Sequence, residues 1–337
     1  SMCMGTQFWK DKYASLSDSA VNTYTVDGVY MDQACSALLC YDPDHGHPVG
    51  PGKYWLENFG KLTDQIRSKI PQEKQMILAG EGCGEAWLLH LDLMLTLAVS
   101  KERYAGVNQW ETIPFFQAVY HEYSITYGNY SSLLVPPYDE LWPAEYAPKK
   151  PLEMLDKKFN KQFLMEQARS FVWGMQPTIA NYQAKLASQR KEEIDFLLDL
   201  ARTRNNALKY LLFGKFMKNP DFETPYEEMD ISRLSIYAGK TGNSVTTFRG
   251  TFPLVYSGTW QADDMDLGIA IASISDKPVP IELDFNGDEY DLPASGKIFI
   301  IDDKGRKELG SYTKNEINVD LTLAPGDLCV VEVTSDK

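Results

Sequence analysis

The sequence is short of cysteine and histidine, with 5 and 4 among 337 residues, and its 33 Lys and Arg are outnumbered by 47 Asp and Glu. A net charge of −14 excludes a nucleic-acid backbone as partner, because that surface demands clustered Lys and Arg. The cysteines (Cys3, Cys35, Cys40, Cys83, Cys329) are odd in number and none forms a CxxC pair. A disulfide framework, a structural zinc and a thioredoxin-type motif are therefore not expected. No uncharged apolar run approaches the ~18 residues of a membrane span. No signal peptide is evident, Ser1-Met2 reads as an expression scar, and no compartment is indicated. GxGxxG ahead of a helix, GxxxxGKS/T and the GxSxG elbow are all missing, so no cofactor is expected.

What is present is a globular composition, 44% hydrophobic, on a length that suggests about two domains at ~100–200 residues each. The charge is uneven. Residues 1–222 hold 26 acidic and 23 basic side chains (net −3), and residues 223–337 hold 21 and 10 (net −11). The acidity belongs to the C-terminal third and reads as a solubilising surface.

The first 220 residues alternate short apolar runs with amphipathic stretches. Val26–Asp32 reads as a strand ending in an acid, and Gln75–Ala79 as a second strand running into Gly80-Glu81-Gly82. Between them Leu56, Phe59, Leu62, Ile66 and Ile70 recur at helical spacing over 53–70, closed by Pro71. A helix is expected over 85–100, a third strand at Ile113–Tyr120, a helix over 152–172, a fourth strand at Trp173–Ile179 and a long helix over 191–213. Strand and helix in alternation imply a parallel sheet with right-handed crossovers. Chemistry then sits at the carboxyl ends of the strands, where Asp32, Glu81, His121, Glu122 and Gln176 fall. From about Pro225 seven short alternating runs separated by Gly, Asp, Asn and Pro point to an antiparallel sandwich. They are 233–238, 245–248, 267–273, 279–285, 297–302, 316–321 and 328–333.

Three groups of residues can carry chemistry. Asp32 and Glu81 end consecutive strands, and adjacent strands lie ~4.8 Å apart, so their carboxylates can face one cleft. Retaining glycoside hydrolysis needs two carboxyls ~5–5.5 Å apart, one as nucleophile and one as acid, then base. Strand-end caps or ion pairs would use the same residues. Glu85, in the first turn of the expected helix, is a rival acid. In the second group, Asp42-Pro43-Asp44-His45-Gly46-His47 reads as a rigid loop presenting Asp42, His45 and His47 to sugar hydroxyls, with metal binding and a plain turn-forming loop as alternatives. The third is a set of aromatics, among which Tyr30, Trp87 and Trp173 are candidate platforms for a pyranose face, though most such rings pack cores. His121, Glu122 and Gln176 are candidate hydroxyl binders.

Gly28–Gln33, Cys40–Pro48, Gly80-Glu81-Gly82 and Pro114–Tyr123 resemble a bacterial glycosyl-hydrolase family catalogued as domain of unknown function 6259. More distantly the chain is similar to retaining endo-α-N-acetylgalactosaminidase and α-galactosidase barrels. The resemblance implies a nucleophilic Asp after the fourth barrel strand and an acid/base Glu after the fifth, here Asp32 and Glu81, followed by a β-sandwich. The expected architecture is the C-terminal portion of a (β/α)8 TIM barrel over 1–222 and a β-sandwich over 223–337. The expected function is a retaining glycoside hydrolase acting on α-linked sugars. A non-catalytic carbohydrate-binding or scaffold protein, and a metal-dependent hydrolase using the Asp42–His47 loop, are the alternatives. If Val26–Asp32 is the fourth strand, three βα units are missing, and another chain or a second copy must complete the barrel; such a fragment would have little activity alone.

Overall fold

A computed structural model of the chain describes residues 2–36, 38–96, 112–129, 131–135, 153–233 and 246–335. It forms two compact units, Ser1–Thr96 with Tyr123–Thr126, and Leu97–Glu122 with Tyr127–Lys337.

The first unit opens with helix α1 (Gln7–Asp18), begun by the Thr6 hydroxyl, which accepts from the Trp9 amide. Strand β1 (Gly28–Met31) follows, then helix α2 (Tyr54–Lys69), where the expected spacing holds: Phe59, Leu62 and Ile66 are fully buried. Strand β2 (Ile77–Glu81) pairs in parallel with β1, matching Gly28 to Ile77 and Met31 to Gly80. Strand β3 (Leu93–Leu95) pairs in parallel with β2, setting Glu81 opposite Leu95. With β4 (Ile125–Tyr127) the sheet runs β1-β2-β3-β4.

The helix expected over 85–100 is a single 3-10 turn, Glu85–Trp87, followed by β3; residues 97–100 lie outside the described ones. A short apolar run does not declare its period. Here pairing with β2 captures Leu93–Leu95, while the Trp87 ring turns edge-on to Phe59, centroids 5.0 Å apart.

In the second unit, Ile113–Tyr120 is not the expected strand. Pro114, which has no N–H to give a ladder, precedes helix α3 (Phe115–Tyr120), with Gln117 buried and Phe115 and Val119 exposed. Helix α4 (Asn160–Val172) ends where Gly174 takes a left-handed φ of 69°. The strand expected at Trp173–Ile179 reduces to one parallel bridge, Gln176 to Tyr127. Helices α5 (Leu186–Gln189), α6 (Lys191–Asn206) and α7 (Leu208–Leu211) follow, so the stretch expected as one helix over 191–213 breaks at Ala207.

The remaining strands are antiparallel. They are β5 (Lys215–Met217), β6 (Tyr226–Arg233), β7 (Thr246–Pro253), β8 (Val255–Gln261), β9 (Leu267–Ser273), β10 (Val279–Asn286), β11 (Ser295–Asp302), β12 (Gly305–Thr313), β13 (Glu316–Leu323) and β14 (Leu328–Ser335). Eight of them form one curled sheet, β10-β13-β12-β11-β14-β9-β8-β5, and β6 pairs with β7. The expected runs over 267–273, 279–285, 297–302, 316–321 and 328–333 are β9, β10, β11, β13 and β14. Most of the run over 233–238, and Val245 at the head of the next, lie outside the described residues.

Strand β9 is buried on both faces, and period 2 sorts its side chains. Leu267, Ile269 and Ile271 join Val279, Ile281, Leu283 and Phe285 of β10 in one core. Ala270 and Ala272 face the other core, with Phe171 and Val172 of α4, Leu200 of α6 and Trp260. The small residues on that face let α4 approach closely. A Cβ at Gly258 would stand 1.9 Å from the Val172 carbonyl oxygen, and the Trp260 indole N–H donates to that same oxygen at 3.0 Å.

Candidate active site

The acid pair lies in the first unit. Asp32 follows β1 directly and Glu81 is the last residue of β2, so the parallel register brings their side chains to the same end of adjacent strands. The backbone there is unusual. Gln33, just past Asp32, takes a φ of 54°, a conformation rare outside glycine, and Gly82, just past Glu81, takes 91°. The Gln33 turn aims its N–H at Glu81 Oε2, which accepts it at 3.0 Å. Gly82 in turn donates its N–H to the Leu95 carbonyl at 3.0 Å.

Burial, and then the neighbouring Asp32 side chain and its negative charge, hold the Glu81 carboxyl above the usual carboxylate range, against the lowering pull of the Gln33 amide. The Tyr30 hydroxyl donates to Asp32 Oδ1 at a long 3.4 Å. Cys35 and Cys83 flank the pair. Burial pushes both thiols up to about 12, with the charge of Glu81 adding to the effect on Cys35, so both remain neutral packing groups. The arrangement offers one exposed acid beside one partly buried acid whose carboxyl is held above the usual range.

The other candidate residues divide between the units. Glu85 is exposed at the start of the 3-10 turn, and Trp87 is buried against Phe59. His121, Glu122, Trp173 and Gln176 belong to the second unit. There His121 is 3% exposed, with Nδ1 2.9 Å from the Gly214 carbonyl oxygen and Nε2 3.3 Å from that of Gly174, and it lies over Trp260 with ring centroids 4.2 Å apart. Burial holds its imidazole below the usual value, against the raising pull of those carbonyls, so His121 sits as a core residue. Glu122 is exposed. Trp173 packs in the core beneath α4, and the Gln176 carboxamide oxygen accepts from the Arg204 guanidinium at 3.2 and 3.3 Å.

The Asp42–His47 loop makes contacts that its own spacing does not reveal. His45 Nδ1 stands 3.2 Å from Cys40 Sγ, and His47 Nε2 stands 3.1 Å from Cys3 Sγ. Asp42 bonds to the far nitrogen of His45 at 3.2 Å. The expectation from the missing CxxC pair overlooked this group, because the whole of α1 and β1 lies between Cys3 and Cys40. The local pattern Cys40-x4-His45-x-His47 was the available signal.

The comparisons with known proteins extend this description. A "Putative glycoside hydrolase" of Bacteroides thetaiotaomicron is 23% identical over 253 residues, covering 72% of this chain and 34% of that protein. "Putative glycoside hydrolase 22789" of Monosiga brevicollis is 28% identical over 124 residues, 36% of this chain and 10% of that protein. The chain thus spans about a third of the first relative and a tenth of the second. Among solved structures, α-galactosidase I from Mortierella vinacea superposes with a TM-score of 0.47 at 7% identity, covering 96% of this chain and 72% of that one. Residues 1–131 match the family described as a domain of unknown function, DUF6259, and all four segments on which the sequence resembles that family fall inside the match.

Proposed function

We propose that the chain is the carboxylate-bearing part of a retaining glycoside hydrolase acting on α-linked sugars, with Asp32 as nucleophile and Glu81 as general acid and then base. The observation that carries the reading is the pair itself: two carboxyls at the carboxyl ends of adjacent parallel strands, one of them partly buried and shifted above the usual carboxylate range. A donor must be protonated at working pH, and burial beside a second acid is how proteins arrange that. Asp32, exposed and fed by the Tyr30 hydroxyl, is the better placed to attack. The names of the two curated relatives point the same way.

In this reading residues 1–222 are the C-terminal portion of a (β/α)8 barrel and residues 223–337 an appended β-sandwich. The parallel sheet, with β1 at its edge and Phe8 and Leu16 of α1 exposed, supports further strands pairing beyond β1, from another chain or a second copy. A covalent glycosyl intermediate needs the carboxyls ~5–5.5 Å apart, and exposure leaves the Asp32 side chain room to adjust its distance from Glu81.

The test is an aryl-glycoside panel of both anomers with wild-type chain and Asp32→Gly. Loss of turnover, restored by azide with formation of a glycosyl azide of inverted configuration, is expected. Undiminished turnover by Asp32→Gly would overturn the assignment.

A further inference from the structure

The first unit holds a second cluster that the acid pair does not use. The Sγ atoms of Cys3 and Cys40 and one ring nitrogen each of His45 and His47 all lie within 4.8 Å of one another. From this convergence we propose that Cys3, Cys40, His45 and His47 form a closed tetrahedral site for a structural zinc ion, one that ties the start of the chain to the loop after β1.

The donor set is the first argument. Two thiolates and two imidazoles are a zinc set: soft sulfur disfavours magnesium and calcium, and four protein ligands leave no open position for catalysis. With Zn–S of about 2.3 Å and Zn–N of about 2.0–2.1 Å, a tetrahedron has S···N edges of about 3.5 Å and an S···S edge of about 3.8 Å. The cluster reaches that size with small side-chain shifts, since its two S···N contacts are 3.1 and 3.2 Å. Binding releases the two thiol protons to solvent. The dication and two thiolates then sum to zero charge, which a partly buried site tolerates.

The second argument is the shell around the ligands. A ligating imidazole must present an unprotonated nitrogen, and proteins secure this by giving the other nitrogen an acceptor. Both histidines meet the condition: the far nitrogen of His45 faces the Asp42 carboxylate at 3.2 Å, and His47 Nδ1 faces the Pro48 carbonyl at 2.8 Å. The lone pairs are thereby turned toward the cysteines. The Gly5 N–H donates to Cys3 Sγ at 3.3 Å, a bond that favours the thiolate. The His47 ring stacks flat on Tyr54, centroids 3.8 Å apart and planes 1° from parallel, while the Tyr54 hydroxyl accepts from the Cys40 amide at 2.9 Å. Gly5 is required beside that ring, because a Cβ there would stand 2.4 Å from His47 Cδ2. Ring orientations and loop backbone are thus fixed by groups other than the ligands, as preorganised metal sites require.

The site bears on the acid pair through the chain. The loop that carries Cys40, His45 and His47 begins one residue after Asp32, and Cys3 sits just ahead of α1. A zinc ion there would anchor both ends of the segment containing β1.

The test uses the full, reduced chain without a histidine tag. Elemental analysis is expected to give one zinc per chain, retained in Cys35→Ser/Cys83→Ser and lost in Cys3→Ser/Cys40→Ser. Asp42→Asn, which alters only the partner of His45, is expected to weaken zinc binding 10–100-fold in a chelator competition. Should the double cysteine variant fail to fold, cobalt(II) exchanged into the wild-type chain decides. A tetrahedral ligand-field spectrum with a thiolate charge-transfer band supports the site; an octahedral spectrum without that band overturns it. Failure of the reduced chain to take up one equivalent of zinc, or zinc that survives Cys3→Ser/Cys40→Ser, also overturns it. None of these readouts depends on glycosidase activity.

Discussion

Replacing Glu81 with Gln separates the catalytic reading of the acid pair from a structural one. The carboxamide has the shape of the carboxyl, so its oxygen can still accept the Gln33 N–H held at 3.0 Å and its NH2 can donate to the neighbouring Asp32 carboxylate. No buried donor is orphaned and one crowded ionisation is removed, so stability should change by less than about 0.5–1 kcal/mol. Activity should not be spared. A positioned general acid contributes about 10²–10⁴-fold, or roughly 2.7–5.4 kcal/mol at ~1.36 kcal/mol per decade. That loss should fall on substrates whose leaving group needs the proton. Turnover should therefore drop by the full factor on a phenyl or alkyl glycoside and far less on a dinitrophenyl glycoside, whose anion leaves unaided. Paired urea titrations and kinetics on the two leaving groups measure both halves. Equal losses on both substrates, or a large fall in stability with unchanged turnover, would refute the general-acid role.

Two further outcomes follow from the same coordinates. Because the Glu81 carboxyl titrates above its ordinary value in the folded chain, the folded state binds more protons there than the unfolded one. Its contribution is complete below the ordinary glutamate pKa and is lost as pH rises through the raised value; Glu81→Gln should flatten that slope in denaturant midpoints collected across pH, and an unchanged slope would count against the assignment. Gly258→Ala should destabilise the second unit by about 1–3 kcal/mol, since its Cβ would meet the Val172 carbonyl oxygen at 1.9 Å; a urea midpoint equal to wild type would show that α4 can retreat from the sheet without loss.

The sequence by itself determined the elements whose pattern is both long and local. Helix α2 declared itself through Phe59, Leu62 and Ile66 on one face, and β10 through strict alternation, with Val279, Ile281, Leu283 and Phe285 inward and Glu282 and Asp284 outward. Asp32 and Glu81 were legible as strand-end acids because each closes a short apolar run. Segments with no period of their own were decided by tertiary partners. Leu93–Leu95 became a strand because β2 had an open edge, while Ile113–Tyr120 and Trp173–Ile179 did not, since Pro114 opened a helix and Gly174 turned the chain after α4. His121 and Trp173 looked the same on paper as residues of a ligand rim, yet packing set both in a core. The sharpest case is Cys3. Its distance in sequence from Cys40, His45 and His47 gave no hint of partnership, and only the packing of α1 on α2, which returns the start of the chain to the loop after β1, brings four ligand atoms within 4.8 Å. Local patterns follow from hydrogen bonding and periodic burial along neighbouring residues, whereas a site assembled across 44 positions exists only after the core between them has formed.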